Sequence, residues 1–325
     1  MSPRATPGRL AAACAVLAAA LGASFLVAAS VGPAGGASAD WEIVRTLRLP
    51  RALLAALVGG ALSVSGAAFQ ATLRNPLACP YLLGVSGGGA FGAVLAILAG
   101  APAAALPAAS FAGCLAAIGL IHAAASRRGH LLAQDLLLAG VVANSFFLAA
   151  MAVLQYLAAP HEASRILHWT LGAVRPGSVP AALVGACVAA GTLVVLADGT
   201  RLNLLAVGDE TAASLGVDVA AVRRRTFLAA SLLTGAAVAV SGPIGFVGLF
   251  VPHAVRRVLG PDHRVLVPAS FLAGAAFLAA ADTLARAAFD PYEVPVGVVT
   301  AVLGAPAFVL LLARRERGAP EGGRP

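Results

Sequence analysis

The sequence predicts an all-α membrane protein of about ten transmembrane helices. Three observations carry that expectation. Of 325 residues, 60% are hydrophobic and only 11% charged, against about a quarter charged in an ordinary soluble domain. The apolar residues fall in runs close to the ~20-residue length that crosses a bilayer. All 22 basic residues are Arg, clustered between the runs at Arg127-Arg128, Arg223-Arg224-Arg225, Arg256-Arg257 and Arg314-Arg315, as in loops on the positive side of a membrane. That placement, more than the net charge of +8, argues against a nucleic-acid partner.

The runs lie at 10–31, 52–72, 82–101, 104–125, 136–158, 178–197, 226–242, 266–285 and 295–313. The first follows Arg4 and Arg9 and could pass for a signal peptide. Equally apolar runs recur along the chain, so it reads instead as the first membrane helix. Residues 75–126 hold no Asp, Glu, Lys or Arg, and Pro102 and Pro107 divide them into two spans. Segment 243–258, PIGFVGLFVPHAVRRV, is short for a full crossing and suits a half-helix or a short tilted helix. Counted as a crossing, it brings the total to ten.

Charge supports that count. With both termini cytoplasmic, Arg4, Arg9, Arg74, Arg127, Arg128, Arg201, Arg223, Arg224, Arg225, Arg256, Arg257, Arg264 and the four arginines of the 314–325 tail lie inside. Only Arg45, Arg48, Arg51, Arg165, Arg175 and Arg286 lie outside, the expected bias. The whole chain, 1–325, reads as one transmembrane domain. Cys14, Cys79, Cys114 and Cys187 stand singly in apolar surroundings, so no metal site is expected from them.

Two stretches do not span. Residues 159–177 carry His161, Glu162, Arg165, His168 and Trp169 and predict a short outer interfacial helix with Trp169 at headgroup depth. The inner loop 203–222 reads as two short helices. Asp209 or Glu210 starts the first by placing negative charge at its N-terminus. Thr211, Ala212, Ala213, Ser214 and Leu215 continue it, Gly216 closes it, and Asp218 starts the second. A linker would be more polar and less patterned, so the loop is a candidate docking surface.

Residues 73–89, LRNPLACPYLLGVSGGG, contain matches to enzyme motifs. Gly84-Val85-Ser86-Gly87-Gly88 fits a nucleophile elbow, and Gly87 to Gly92 fits a dinucleotide fingerprint. Both need a strand, a turn and a helix in a soluble sheet, which this chain does not offer. Gly84, Gly88 and Gly92, spaced by four, suit close helix packing instead. With no Lys in the chain, a phosphate-binding loop is excluded, so any ATP-driven motor is a separate chain. No carboxylate lies mid-span, which argues against a proton-coupled carrier. Asp282 and Arg286 read as a local i,i+4 pair.

Four blocks, 47–93, LNLLAVGDETAASLGV at 202–217, 242–274 and 281–312, resemble the permease subunits of type II ABC importers for iron–siderophore, haem and cobalamin, the FecCD family. The resemblance runs over nearly the whole chain, with the blocks in the family's order. It implies the type II ABC importer permease fold and a transporter subunit rather than an enzyme. It also implies a homodimer, or a pair of related permeases, two separate ATP-binding subunits that hold ATP and Mg, and a periplasmic or lipid-anchored binding protein. No cofactor on this chain itself is implied. The setting is the bacterial inner (plasma) membrane.

Carried over by position, 203–222 matches the ATPase coupling loop, with Gly208 to Gly216 as its helix. Asn75 and Leu77 match residues that close the cytoplasmic end of the pathway. A second gate element uses small hydroxyl residues where this chain has Ala133 and Gln134, so that gate does not transfer unchanged. Arg51 and Arg175 are candidates for docking the binding protein. ATP binding would move the coupling loop and rock the dimer. The alternatives are an ATP-independent channel or secondary transporter for a small solute, and an intramembrane enzyme using Ser86.

Overall fold

The computed structural model describes residues 7–31, 41–127, 130–177, 179–288 and 292–316. Helices lie over each of the ten apolar segments. α1 (Pro7–Ser30) is followed by α2 (Trp41–Ile43), a π-turn at Val44–Arg48 and α3 (Leu49–Thr72). The last three run on as one rod that starts well before the apolar run, and Pro50, which cannot donate to the helical ladder, follows directly on the π-turn, where that ladder is already irregular. α4 (Val85–Leu98) and α5 (Leu106–Ala125) divide the uncharged stretch where its prolines predict. Strands β1 (Ser126–Arg127) and β2 (His130–Leu131) pair antiparallel in the connection to α6 (Ala133–Leu157). Then come α7 (Pro160–Thr170), α8 (Ala181–Ala197), α9 (Gly199–Val207) and α10 (Asp209–Ser214). α11 (Val219–Ser241), α12 (Val247–Leu259), α13 (His263–Ala287) and α14 (Val296–Glu316) complete the chain.

By length and composition alone, five helical stretches among the described residues can cross a bilayer, and the α8–α9 pair, bent by 54°, makes a sixth. The other segments fall short for visible reasons. α4 has 14 residues and α12 has 13, about 20 Å each at ~1.5 Å per residue, against a hydrocarbon core of ~30 Å. The apolar part of α14, Val296–Leu311, is also short, and α11 carries Arg223, Arg224 and Arg225 near its start.

α3 is the axis of the bundle. α13, α11, α12 and α8 all pack on it, and from Val58 to Thr72 every residue is buried. Small residues allow backbones to touch, the usual device where lipid removes the hydrophobic drive between helices. A Cβ at Gly66 would overlap the Gly248 carbonyl, and one at Gly274 would overlap the Gly59 carbonyl. The Ser65 hydroxyl donates to the Ala230 carbonyl at 2.7 Å and meets Thr234 Oγ1 at 2.7 Å, stitching α3 to α11. Gly66→Ala is therefore expected to cost about 1–3 kcal/mol through overpacking, visible as a lowered thermal midpoint of the detergent-solubilised protein.

The glycines of 84–92 divide their work. Gly88 and Gly92 abut the backbone of α5 at Gly113 and Ala109, the close packing their spacing predicts. Gly84 instead begins α4 in the left-handed conformation, φ 76°, with the Gly140 carbonyl of α6 2.9 Å from where a Cβ would stand. Ser86 is buried in the first turn of α4, and no hydrogen-bond partner reaches its hydroxyl among the described residues. A turn precedes it rather than a strand, so it has no elbow context.

Two expectations need correction. The short helix α7 forms, with the Ala159 N–H donating to Glu162 at 2.9 Å, but Trp169 is turned into the protein rather than outward as an interface anchor. It is 4% exposed and packs with Ile166 against Ala90, Ala93, Val94 and Ile97 of α4. Positions 166 and 169 share a helical face, and that face turns to the protein. In the 203–222 loop, Asp218 does start a helix by accepting from the Ala221 N–H at 2.9 Å, but that helix is α11 itself. The second short helix lies earlier, as α9. The triple-arginine cluster does not end the span because its charges are partly neutralised, as described below.

Candidate functional site

Two breaks in the helical backbone meet inside the bundle. The first is 73–84, between α3 and α4, and the second is 242–246, between α11 and α12. Their depth follows from helix register. Gly66 lies about 25 Å along α3 from Leu49 at ~1.5 Å per residue and touches Gly248 at the start of α12. Pro80, from the first break, stands 2.8 Å from where a Gly248 Cβ would be. α12 therefore begins inside the bundle, beside the C-terminal half of α3, and the break that leads into α4 passes the same level. Non-helical backbone at membrane depth is tolerated only where it is buried or lines a cavity, and half-helices meeting in mid-bilayer are a common build for transport sites.

A cavity of about 480 Å³ opens at this junction. Tyr81 and Leu82 line it from the first break, Gly245 and Phe246 from the second, with Leu171 after α7 and Val302 on α14. None of its lining residues is charged. Phe246 holds a left-handed backbone, φ 66°, a conformation costly for a bulky residue, and its ring packs on Gly304. The surface can slide a bulky apolar-faced cargo but offers no charge to grip one.

At its C-terminal end, α3 stops in a Schellman closure. The Asn75 N–H donates to Gln70 O at 3.2 Å and the Arg74 N–H to Ala71 O at 3.2 Å, the bond pair that defines the motif. Arg74 holds the left-handed position at φ 48°, where a non-glycine residue costs roughly 1–2 kcal/mol. The Asn75 side chain accepts from the Leu77 N–H at 2.9 Å, fixing a turn around Pro76 that leaves Leu77 48% exposed. Asn75 is half-buried and committed to this turn. Ala133 is buried at the start of α6 and Gln134 is exposed beside it.

The loop after α8 is held by paired charges. Asp198, 1% exposed, sits at the bend between α8 and α9 and accepts from Arg201 at 2.9 Å and from Arg225 Nε at 2.6 Å. Asn203 of α9 donates to Asp262 at 2.8 Å, and Asp262 caps α13 through the Arg264 N–H. The Arg264 guanidinium beside it holds the Asp262 carboxyl well below the usual carboxylate range. Asp209, first residue of α10, takes both carboxylate oxygens to within 2.8 Å of Arg223 Nη2, and Arg74 Nε approaches it at 3.9 Å. Gly216, φ 81°, closes α10, with Val217 N donating to Ala212 O. Ala212 is buried as the anchor, whereas Glu210, Thr211, Ala213, Ser214, Leu215 and Gly216 are exposed and Gly208 is half-buried.

The opposite end of α3 carries a second network. Arg51 pairs with Asp282 at 3.1 Å and Glu293 at 2.9 Å, and Arg286 reaches the same Asp282 at 3.3 Å. Asp282 and Arg286 thus form their i,i+4 pair, but with Arg51 as a third member. Asp282→Asn leaves the 4%-exposed Arg286 without its carboxylate, an expected loss of about 3 kcal/mol, the low end for a broken buried pair, checked by thermal unfolding. Arg175 stacks on Trp169 at 4.6 Å and donates to His168 O at 2.8 Å, beside a cavity of about 440 Å³ that also meets Arg165.

The sequence singled out Asp209, Asn75 and Leu77 separately; the structure brings their two loops together through Arg74 and Arg223. Neither arginine carries a motif that would have marked it, since an arginine between spans is ordinary.

Residues 10–314 match the FecCD transport family. The chain is 46% identical over 278 residues to the cobalamin import system permease protein BtuC of Halobacterium salinarum, covering 84% of this chain and 74% of the relative. It is 43% identical over 284 residues to the hemin transport system permease protein HmuU of Yersinia pestis, covering 85% of each. In three dimensions it matches an inward-facing transporter assigned to the metal-chelate ABC type, at TM-score 0.83 and 28% identity, over 94% of this chain and 99% of the other.

Proposed function

Because the chain belongs to the FecCD transport family, we propose that it is the membrane-spanning permease of an ABC importer that moves a bulky metal chelate inward. The cargo class is cobalamin, haem or a ferric siderophore, the first two being the cargoes named for its relatives. The chain performs no bond chemistry; ATP hydrolysis belongs to a separate subunit. The observation that carries the reading is the uncharged cavity of about 480 Å³ where two helix breaks meet. Among the described residues the buried carboxylates are Asp198 and Asp282, each at or near a helix end and each paired to two arginines. Neither is placed to relay protons through the bundle.

The working unit is two permease copies, or two related ones, around a shared pathway, with two ATP-binding subunits beneath and a binding protein above, in the bacterial inner membrane with both termini cytoplasmic. The arginine bias toward the inner loops supports that orientation. Gly208 to Gly216 form the surface offered to the ATPase, Asn75 and Leu77 narrow the inner end, and the Arg51 and Arg175 regions face the binding protein. Arg51 already serves an internal network, so its share in docking is smaller than a free arginine's.

The test is reconstitution of the chain with its ATPase and binding protein in liposomes, followed by uptake of cobalamin, haem and ferric siderophore. ATP-dependent uptake of one of these is the expected result. Uptake without ATP, or failure to co-purify with any ATPase, would instead favour a channel or secondary carrier.

A further inference from the structure

Arg74 stands where most helices ending in this closure place glycine. The left-handed backbone at φ 48° is strained for any residue with a side chain, so the arginine must be accounted for by what its side chain reaches. It reaches Asp209, the first residue of α10, at 3.9 Å. The same carboxylate is held at 2.8 Å by Arg223, whose side chain is 3% exposed and whose Nε also lies 3.5 Å from the Thr72 carbonyl in the last turn of α3.

We propose that Arg74 is a positioning residue that ties the Asn75–Leu77 turn to α10 through Asp209, so that a displacement of α10 is delivered to that turn. This use of the tie rests on the reading of α10 as the surface offered to the ATPase. The two arginines have different parts. Arg223 is buried and fixes the start of α11 against the end of α3, so it is the stationary side of the clasp. Arg74 is 44% exposed and directly precedes the turn around Pro76, so it is the arm that moves. A carboxylate between two cations shifts its balance of attraction when the helix carrying it moves. The movement is then felt one residue from Asn75.

Arg74→Gly separates this role from a structural one, because glycine suits the left-handed backbone and removes only the arm. The primary measurement uses the full-length permease alone, with its four cysteines replaced by alanine and spin labels at Leu77→Cys and Glu210→Cys. The parent is expected to give a narrow label–label distance distribution, Arg74→Gly a broadened one, and Arg74→Lys, which keeps the charge, one close to the parent. In the reconstituted importer, cargo moved per ATP should fall about fivefold in Arg74→Gly, the upper end for loss of an exposed ion pair, and recover in Arg74→Lys. A parental distance distribution in Arg74→Gly overturns the proposal. The label measurement needs neither ATPase nor cargo, so it decides on the tie even if the importer reading fails. That failure would show separately, as uptake by the parent without ATP.

Discussion

Gly245→Phe is expected to fold and insert as the parent does, and to reduce uptake to background. Gly245 lies in the break before α12 and lines the cavity where the two breaks meet. No atom lies within 4 Å of where its Cβ would stand, and its φ is outside the left-handed region. A side chain there meets neither backbone strain nor a packed neighbour, so it fills the open space. Three residues on, the same change would behave in the opposite way. A Cβ at Gly248 would stand 2.7 Å from the Leu62 carbonyl and 2.8 Å from Pro80, and Gly248→Ala should lower the thermal midpoint by forcing backbones apart. The pair thus separates blockage from misfolding. Thermal unfolding, ATP hydrolysis and uptake are to be measured on both variants in the reconstituted importer. If Gly245→Phe transports at the parental rate, the cavity does not lie on the cargo's path.

What the sequence allowed and what it withheld can be followed at these same residues. The membrane class and the ten helical segments are legible because apolar length and arginine placement are local properties of the chain. The half-length of 243–258 is legible too, since Pro243 on one side and Arg256-Arg257 on the other limit its apolar part, with Pro252 carried inside α12. The depth at which it begins is not. That depth depends on Gly66 of α3 touching Gly248, a contact between positions far apart in sequence, and nothing nearby encodes it. Trp169 illustrates the same limit. An isolated tryptophan beside histidines and an arginine reads as an interface anchor until α4 is seen to cover it. The 203–222 loop is half legible. Asp209, Gly216 and Asp218 announce helix ends by themselves, whereas the continuation of α11 through Arg223-Arg224-Arg225 depends on Asp209 and Asp198 arriving from elsewhere to neutralise Arg223 and Arg225.

That neutralisation reshapes the most demanding prediction for the loop, which is that replacing Glu210 to Leu215 by a glycine–serine linker will abolish ATP-driven uptake and leave insertion intact. Removing all of Gly208 to Gly216 would also remove Asp209, and the buried Arg223 would then lose its carboxylate, a change worth about 3–5 kcal/mol for a buried pair. Loss of transport could then reflect a damaged α3–α11 junction. Keeping Asp209 preserves that junction and removes only the outward surface, in which Ala212 is the single buried residue of 210–215. A flexible linker of this length has no fixed shape to push against, so motion of the ATPase would dissipate in it rather than reach α9, α11 or the turn at Asn75. The expected results are a thermal midpoint near the parent's, weakened co-purification with the ATPase subunit, and uptake at background. ATP-dependent uptake that survives the replacement would remove α10 from the coupling path and leave α9, held to Asp262 through Asn203, as the next surface to test.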